Sequence, residues 1–248
     1  MSASQAALPA APATIAPAAQ AGPGKGFVEF ADVDPSLVMR RLFDAAAARG
    51  ALLVRAEVTS LRADAGGVEL GGSDFRVKAK TVVIAAGARS RALAAQAGDS
   101  IPLETERGYH LEFLTDAPLL NRPVCPVDLG FYMTPMAGRL RVAGTVELGG
   151  HAAPANARRL ALLDRGVRQF FPDLGRASSE WLGFRPSLPD SRPVIGWSRG
   201  SSRVIHAFGH GHLGLTLAPI TARLVAELIG RRIDASRLAP FAADRFGA

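Results

Sequence analysis

Val204, Ile205, Ala207 and Phe208 form a short apolar, partly β-branched run that stops at Gly209, Gly211 and Gly214. Such a run suits a buried parallel strand. Past the glycines, Leu217, Ile220, Leu224 and Leu228 recur at steps of three and four, the spacing of one helix face, with Arg223 and Glu227 off it. Gly230 is placed to end that helix as a left-handed cap, with Arg231 and Arg232 at its negative end. Arg203 to Gly230 therefore predicts a strand, a glycine turn and a helix. That unit brings backbone N–H groups and the positive end of a helix to one point, where an anionic or electron-rich ligand edge can sit.

Thr81 to Ala86 (TVVIAA) is apolar throughout and runs into Gly87. Two apolar strands that end in glycine turns predict neighbours in one parallel sheet whose carboxyl ends share a ligand. Upstream, Asp34-Pro35-Ser36 opens a helix, with Asp34 as N-cap and Pro35 at the first helical position; Leu37, Val38, Arg41, Leu42 and Ala45 continue it to Gly50. Ala51 to Leu61 and Gly67 to Val77 read as strands joined through a turn at Asp64 to Gly66. Between the two glycine turns the texture changes. Thr105 to Leu114, Gly130 to Met136 and Arg139 to Leu148 mix polar and apolar residues as antiparallel strands with one wet face do. A helix from Ala155 to Phe171, with Leu160, Leu163, Val167 and Phe170 on one face, ends before Pro172, and Trp181 to Ser198 is rich in turn residues. There is no internal repeat. The fold expected is mixed α/β, an incomplete parallel sheet interrupted by an antiparallel, β-rich insertion.

Composition narrows the function classes. The 248 residues carry a formal net charge of +7, 48% hydrophobic and 21% charged residues, which is globular. The basic residues are spread singly, and the only lysines are Lys25, Lys78 and Lys80, so no nucleic-acid surface is expected. A single cysteine, Cys125, makes neither a disulfide framework nor a cysteine metal cluster and fits a reducing cytoplasm. Arg223 interrupts the best apolar run, so no membrane-spanning segment is expected, though attachment at the periphery of the inner membrane stays open. Residues 1–26 are mostly Ala and Pro and read as a disordered leader.

Asp34-Pro35, VVIAAGARS at Val82 to Ser90, RGYHLEF at Arg107 to Phe113, WLGFRPSLPDSRPVIG at Trp181 to Gly196 and FGHGHLGLTLAP at Phe208 to Pro219 together resemble the FAD-dependent D-amino-acid oxidase superfamily. The likeness is greatest to its bacterial D-amino-acid and D-hydroxyproline dehydrogenases, with glycine and sarcosine oxidases further off. Members of that family begin with a strand, a G-x-G-x-x-G turn and a helix that hold the FAD pyrophosphate, a unit this sequence does not show near its start. Gly209, Gly211 and Gly214 match the pattern by letter, but no acidic residue ends a second strand about 20 residues on, as the dinucleotide fingerprint requires. The turn resembles instead the family's late glycine turn beside the flavin ring. The resemblance thus implies the C-terminal portion of a flavoenzyme: residues 27–100 a partial FAD-binding domain, 101–180 an antiparallel substrate domain, and 181–248 the return to the FAD-binding domain.

The resemblance also implies the chemistry, oxidation of a C–N bond of a D-amino or cyclic imino acid with hydride passing to the flavin N5. Arg185 in GFRP matches the arginine that grips the substrate carboxylate; the alternative is a surface ion pair with Asp190. Tyr132 matches a position where relatives place a substrate-facing tyrosine, and His210 one over the ring or near the substrate. On the cofactor side the expected residues are Val58, Gly87, Gly209, Gly211, His212, Leu213, Gly214, Leu215 and Thr216, with the N–H groups of Gly211 to Leu215 facing the flavin N1 and O2. Tyr109 and His110 fit the strand below the ring, with packing the preferred reading of both, and Glu147 either faces the cavity or solvent. No metal is expected, since His210 and His212 lack a third ligand. A non-catalytic remnant or binding subunit, completed by a separately encoded nucleotide-binding half, is the competing reading.

Overall fold

The structure, a computed structural model, describes residues 35–247, so the expected N-cap at Asp34 and the leader lie outside the described residues. Helix α1 (Pro35–Ala47) runs into a turn that closes on Gly50, whose φ of +87° is left-handed. None of its residues is buried, and Leu37, Met39, Leu42 and Phe43 are exposed. The strand expected over Ala51 to Leu61 is a strand only at its end, β1 (Ser60–Asp64). Leu52, Leu53 and Val54 are 91%, 77% and 66% exposed. This run has the residues of a strand, but a strand also needs a neighbour to bond, and among the described residues none lies beside it.

The expected strand Gly67 to Val77 is divided, because Gly72 N donates to Phe75 O at 3.1 Å and closes a turn. Its two parts, β2 (Gly67–Gly71) and β3 (Arg76–Ala79), form an antiparallel sheet in the order β1-β2-β3. β4 (Val82–Ile84) is shorter than Thr81 to Ala86 and leads through a tight turn at Gly87–Arg89 into α2 (Ser90–Gln96).

The insertion is a four-stranded antiparallel sheet. β5 (Glu104–Leu114), β6 (Phe131–Met136), β7 (Arg139–Leu148) and, after α3 (Ala157–Val167), β8 (Ser179–Ser187) lie in the order β6-β7-β5-β8. α3 is shorter than Ala155 to Phe171, since the Asn156 side chain caps it by accepting from Arg158 N at 3.1 Å. One face of the sheet is closed: Leu111, Phe113, Phe131, Met133, Leu140 and Val142 pack on Leu163 and Val167 of α3. Gly166 is what allows that approach, because a Cβ there would overlap the Phe131 ring. β8 emerges from the stretch whose turn residues hid it, and carries the antiparallel unit on to Ser187, past residue 180.

β9 (Val194–Trp197), likewise hidden among turn residues, pairs antiparallel with β10 (Val204–Phe208), and β10 pairs in parallel with β4. Ile205 packs with Leu228, Leu224 and Val225 of α4 (Gly214–Ile229), while Val204 and Phe208 face Val82, Ile84 and Ala94 on the other side. Gly230 is not the left-handed cap: its φ is −76°, and the left-handed residue is Arg231 at +52°. A Cβ at Gly230 would come within 3.0 Å of Arg232 Nε, so the glycine makes room for the returning chain. Contrary to expectation, the helical stretch Gly211–Ile229, 19 residues with a mean hydropathy of 1.3, is long and apolar enough to cross a membrane by length and composition. One arginine does not remove it from that class, and its Thr221 and Leu228 are buried within the protein.

Candidate active site

Parallel pairing sets Val82 beside Val204 and Ile84 beside His206; carried on by three residues, the register brings Gly87 level with Gly209. Both strands thus turn at the same edge, as the sequence implied. Gly87, Gly209 and Gly211 all have left-handed φ, +55°, +85° and +53°. Gly209 has a second reason to lack a side chain, since a Cβ there would overlap Leu188 at the end of β8. Leu213 N donates to His210 O at 2.9 Å, and α4 starts at Gly214 without a side-chain cap. A 3-10 turn, Gly211–Leu213, runs straight into α4 and also lacks a side-chain cap, so the first N–H groups of the stretch are those of an uncapped helix start.

The open face of the antiparallel sheet meets this turn. Direct partners across the strands share a face, so Tyr132, Ala143, His110 and Trp181 form one rung and Thr134, Arg141, Glu112 and Ser179 the next. Toward the glycine turn come the pair Gly108 and Gly183 and the pair Glu106 and Arg185. Arg185 lies half-buried over Gly108, where a Cβ would overlap its guanidinium, and its Nη1 donates to Thr145 O at 3.3 Å. Thr145 sits where the register between β5 and β7 shifts and has a φ of +62°, so the bulge turns its carbonyl toward the arginine. Burial pulls the Arg185 guanidinium below the usual arginine range, against the opposing pull of Glu106. The alternative partner Asp190 is taken by Arg245 at 2.8 Å.

The turn reaches the sheet through His212, whose Nε2 is 3.0 Å from Glu106 Oε2. Arg185, the sheet face and the turn are thereby brought together, with Tyr132 exposed on β6 two strands from His110. His210 points elsewhere: its Nε2 is 2.9 Å from Thr221 Oγ1, and burial lowers its pKa. Val58 is half-buried just before β1, between Glu57, which pairs with Arg89 at 3.6 Å, and Thr59, whose N donates to Gly71 O at 2.9 Å. Tyr109 and Glu147 face neither cavity nor open solvent. The Tyr109 hydroxyl donates to Glu147 Oε2 at 2.5 Å, Asn156 Nδ2 donates to Glu147 Oε1 at 2.8 Å, and Arg107 Nη2 donates to Ala153 O and Pro154 O. That network pins the loop before α3 to the sheet. Reading for chemistry missed Gly108 and Arg141; the period of two in Arg139-Leu140-Arg141-Val142 would have put Arg141 on the wet face.

The geometry sets glycine turns on parallel strands against an arginine-bearing sheet, and comparison with known proteins identifies the family. Residues 4–228 match the family described as FAD dependent oxidoreductase (DAO). The chain belongs to that family. The D-amino-acid oxidase of Bradyrhizobium diazoefficiens is 39% identical over 219 residues, 86% of this chain and 52% of the relative. The D-amino acid dehydrogenase of Paramagnetospirillum magneticum is 33% identical over 76% of this chain and 46% of its own length. The crystal structure of glycine oxidase from Geobacillus kaustophilus superposes with a TM-score of 0.71 at 33% identity, over 81% of this chain and 55% of that one. The chain spans about half the length of the relatives it matches. The cofactor of this DAO family is FAD. The residues present fit its ring end, with three left-handed glycines, open space at Gly87 and an uncapped helix start. Among the described residues there is no further strand, G-x-G-x-x-G turn and helix for the pyrophosphate.

Proposed function

We propose that this chain supplies the substrate-binding and flavin-ring side of an FAD-dependent oxidoreductase that oxidises the C–N bond of a D-amino or cyclic imino acid. The observation that carries the reading is Arg185, a half-buried guanidinium that makes no ion pair among the described residues and lies on an open sheet face beside the glycine turn. A guanidinium so placed grips a carboxylate through two parallel hydrogen bonds and fixes which substrate carbon is presented. Tyr132 lies on the same side of the sheet, with its hydroxyl beside Cys125. FAD, when bound, accepts the hydride. Gly87 and Gly209 permit its close approach, the N–H groups of Gly211, His212 and Leu215 would hold its electron-rich edge, and Val58 and Gly87 remain the backbone positions for the nucleotide. His210 orients the turn by holding Thr221.

The test mixes the purified chain with FAD and the separately expressed N-terminal portion of the Bradyrhizobium relative, and follows reduction of a dye by D-amino, L-amino and cyclic imino acids. Oxidation of D-amino or imino acids, reduced about 100-fold by Arg185→Ala, is expected, the scale of a lost charge-assisted pair. Flavin bound in the mixture with no amine oxidised would overturn the reading. A second reading, a non-catalytic or truncated remnant or a binding subunit completed by a separately encoded nucleotide-binding half, is favoured by the exposed apolar residues of α1 and Leu52 to Val54. Co-purification of a second flavin-binding chain without amine oxidation would decide for it.

A further inference from the structure

Arg141 is a second guanidinium on the open face; Glu112, directly opposite, acts on it electrostatically, but Arg141 makes no ion pair among the described residues. It starts on β7 opposite Glu112, six residues along β5 from Glu106, the partner of Arg185. The two side chains nevertheless reach toward each other. Arg185 extends over Gly108, and Arg141 Nη2 donates to His110 Nδ1 at 3.2 Å. Gly108 and His110 are two residues apart on one face of one strand, so the charged groups converge on points about 7 Å apart, the rise of two strand residues. The carboxylates nearest to them are already engaged. Glu112 pairs with Arg139 at 3.1 Å and Glu106 with His212 at 3.0 Å. Arg141 Nε is buried with no hydrogen-bond partner.

Glu106 and Glu112 act on these guanidiniums from across the strands, and an anion lying between the two half-buried groups would give each a direct charge-assisted partner. Burial lowers the Arg185 pKa, Glu106 opposes that, and the Arg141 charge acts in the same direction as burial but less strongly than Glu106 opposes it. His110 offers no competing charge: burial, then Arg141, holds its pKa down to about 4, so its neutral Nδ1 accepts from the arginine and keeps it in place. Trp181, stacked on His110 at 6.0 Å between ring centroids, supports that imidazole from the other side.

We propose that Arg141 forms a second anion subsite beside Arg185, so that the site takes a dicarboxylic substrate, one guanidinium holding each acid group. The proposal rests on the reading of Arg185 as the substrate anchor. It makes Arg141 a specificity residue: an amino acid with a β- or γ-carboxylate spans the two arginines, whereas one with a short apolar side chain leaves Arg141 unpaired in a half-buried place.

Succinate and butyrate test the subsite without an amine. Calorimetric titration of the 248-residue protein at low salt should show succinate binding at least about tenfold tighter than butyrate, as a second charge-assisted contact implies. Arg141→Gln should bring that ratio to about one while leaving butyrate unchanged, and Arg141→Lys should retain part of the preference. Equal binding of the two acids by the unmodified protein, no binding of either, or a ratio unmoved in a folded Arg141→Gln variant overturns the subsite. Dye reduction in the mixture described above separates the two claims. Oxidation of D-alanine with no succinate preference leaves the proposed function standing and removes the subsite. A succinate preference with no oxidation of D-aspartate or any other amine leaves the subsite standing and removes the function.

Discussion

The antiparallel sheet and the β4-β10-β9 sheet meet at one glycine turn, yet their surroundings are finished to different degrees. In the first, Phe113, Phe131 and Val142 are wholly buried on α3, and only the opposite face, with Arg185, Arg141 and Tyr132, stays open. On the other side, α4 and α2 cover the sheet, but α1 and the run from Leu52 to Val54 carry equally apolar residues that nothing among the described residues covers. Both regions carry large apolar side chains. What separates them is whether a partner surface is present, and burial is a property of the pair and not of the residue.

The comparison breaks most sharply at Phe131. Replacing it by Ala should cost about 3–5 kcal/mol in urea unfolding, because the ring fills the gap between Gly144 and Gly166 and its loss leaves a cavity. A cost under about 1 kcal/mol would mean the antiparallel core is looser than described.

Next comes the buried knot on the parallel side. His206 donates from Nε2 to Asp99 Oδ2 at 2.8 Å, Arg199 Nε donates to Asp99 Oδ1 at 3.0 Å, and Arg199 N adds a further hydrogen bond to Oδ2 at 3.2 Å. Burial opposes the Asp99 charge, but the hydrogen bonds around it outweigh that and hold its pKa below the ordinary 3.8. Burial holds His206 below its ordinary 6.5, hence neutral, with Nδ1 unpartnered. Both folded pKa values lie below the unfolded ones, so the stability they contribute is present above the unfolded values and lost as pH falls. Thermal midpoints should decline from about pH 6.5 downward as the unfolded His206 takes up a proton, and further below about pH 4 as Asp99 does. Asp99→Asn should lower stability by about 1–3 kcal/mol at pH 7 and flatten the lower limb. A midpoint that rises on acidification would contradict the account.

Gly108→Ala is the third test. A methyl group beneath the Arg185 guanidinium costs about 1–3 kcal/mol by overpacking and moves the anchor. Succinate and butyrate should both bind more weakly, with the fold otherwise intact. The smallest effect is expected at Leu53, 77% exposed, where Leu53→Ser should stay within about 0.5 kcal/mol for the chain alone. A larger loss would show that this run packs on something.

Much of this was legible in the sequence where pattern and partner coincide. The glycine turn, the parallel pairing of VVI with VIHAF and the long antiparallel strands follow from apolar runs and alternation whose neighbours lie within the chain. The strand reading of Ala51 to Leu61 held only from Ser60 on, because periodicity reports propensity and Leu52 to Val54 have no strand beside them among the described residues. β8 and β9 were hidden because Gly183, Pro186 and Pro193 suggested turns, whereas Gly183 lies beside Gly108, flanking Arg185, and Pro193 precedes β9. Gly230 failed as a cap because the chain needed space there and took the left-handed turn one residue later. Arg185 was found by its motif. Arg141 needed the register, since it lies opposite Glu112 and only side-chain direction brings it back to His110.

The central claim is that this chain carries the flavin-ring and substrate side of the site, while the apolar surface of α1 and Leu52 to Val54 awaits the nucleotide side. The visible spectrum of the chain purified alone and incubated with FAD tests it most directly. After removal of free cofactor, the account predicts no stoichiometric absorbance at about 450 nm, where oxidised flavins absorb. One flavin retained per chain would contradict it.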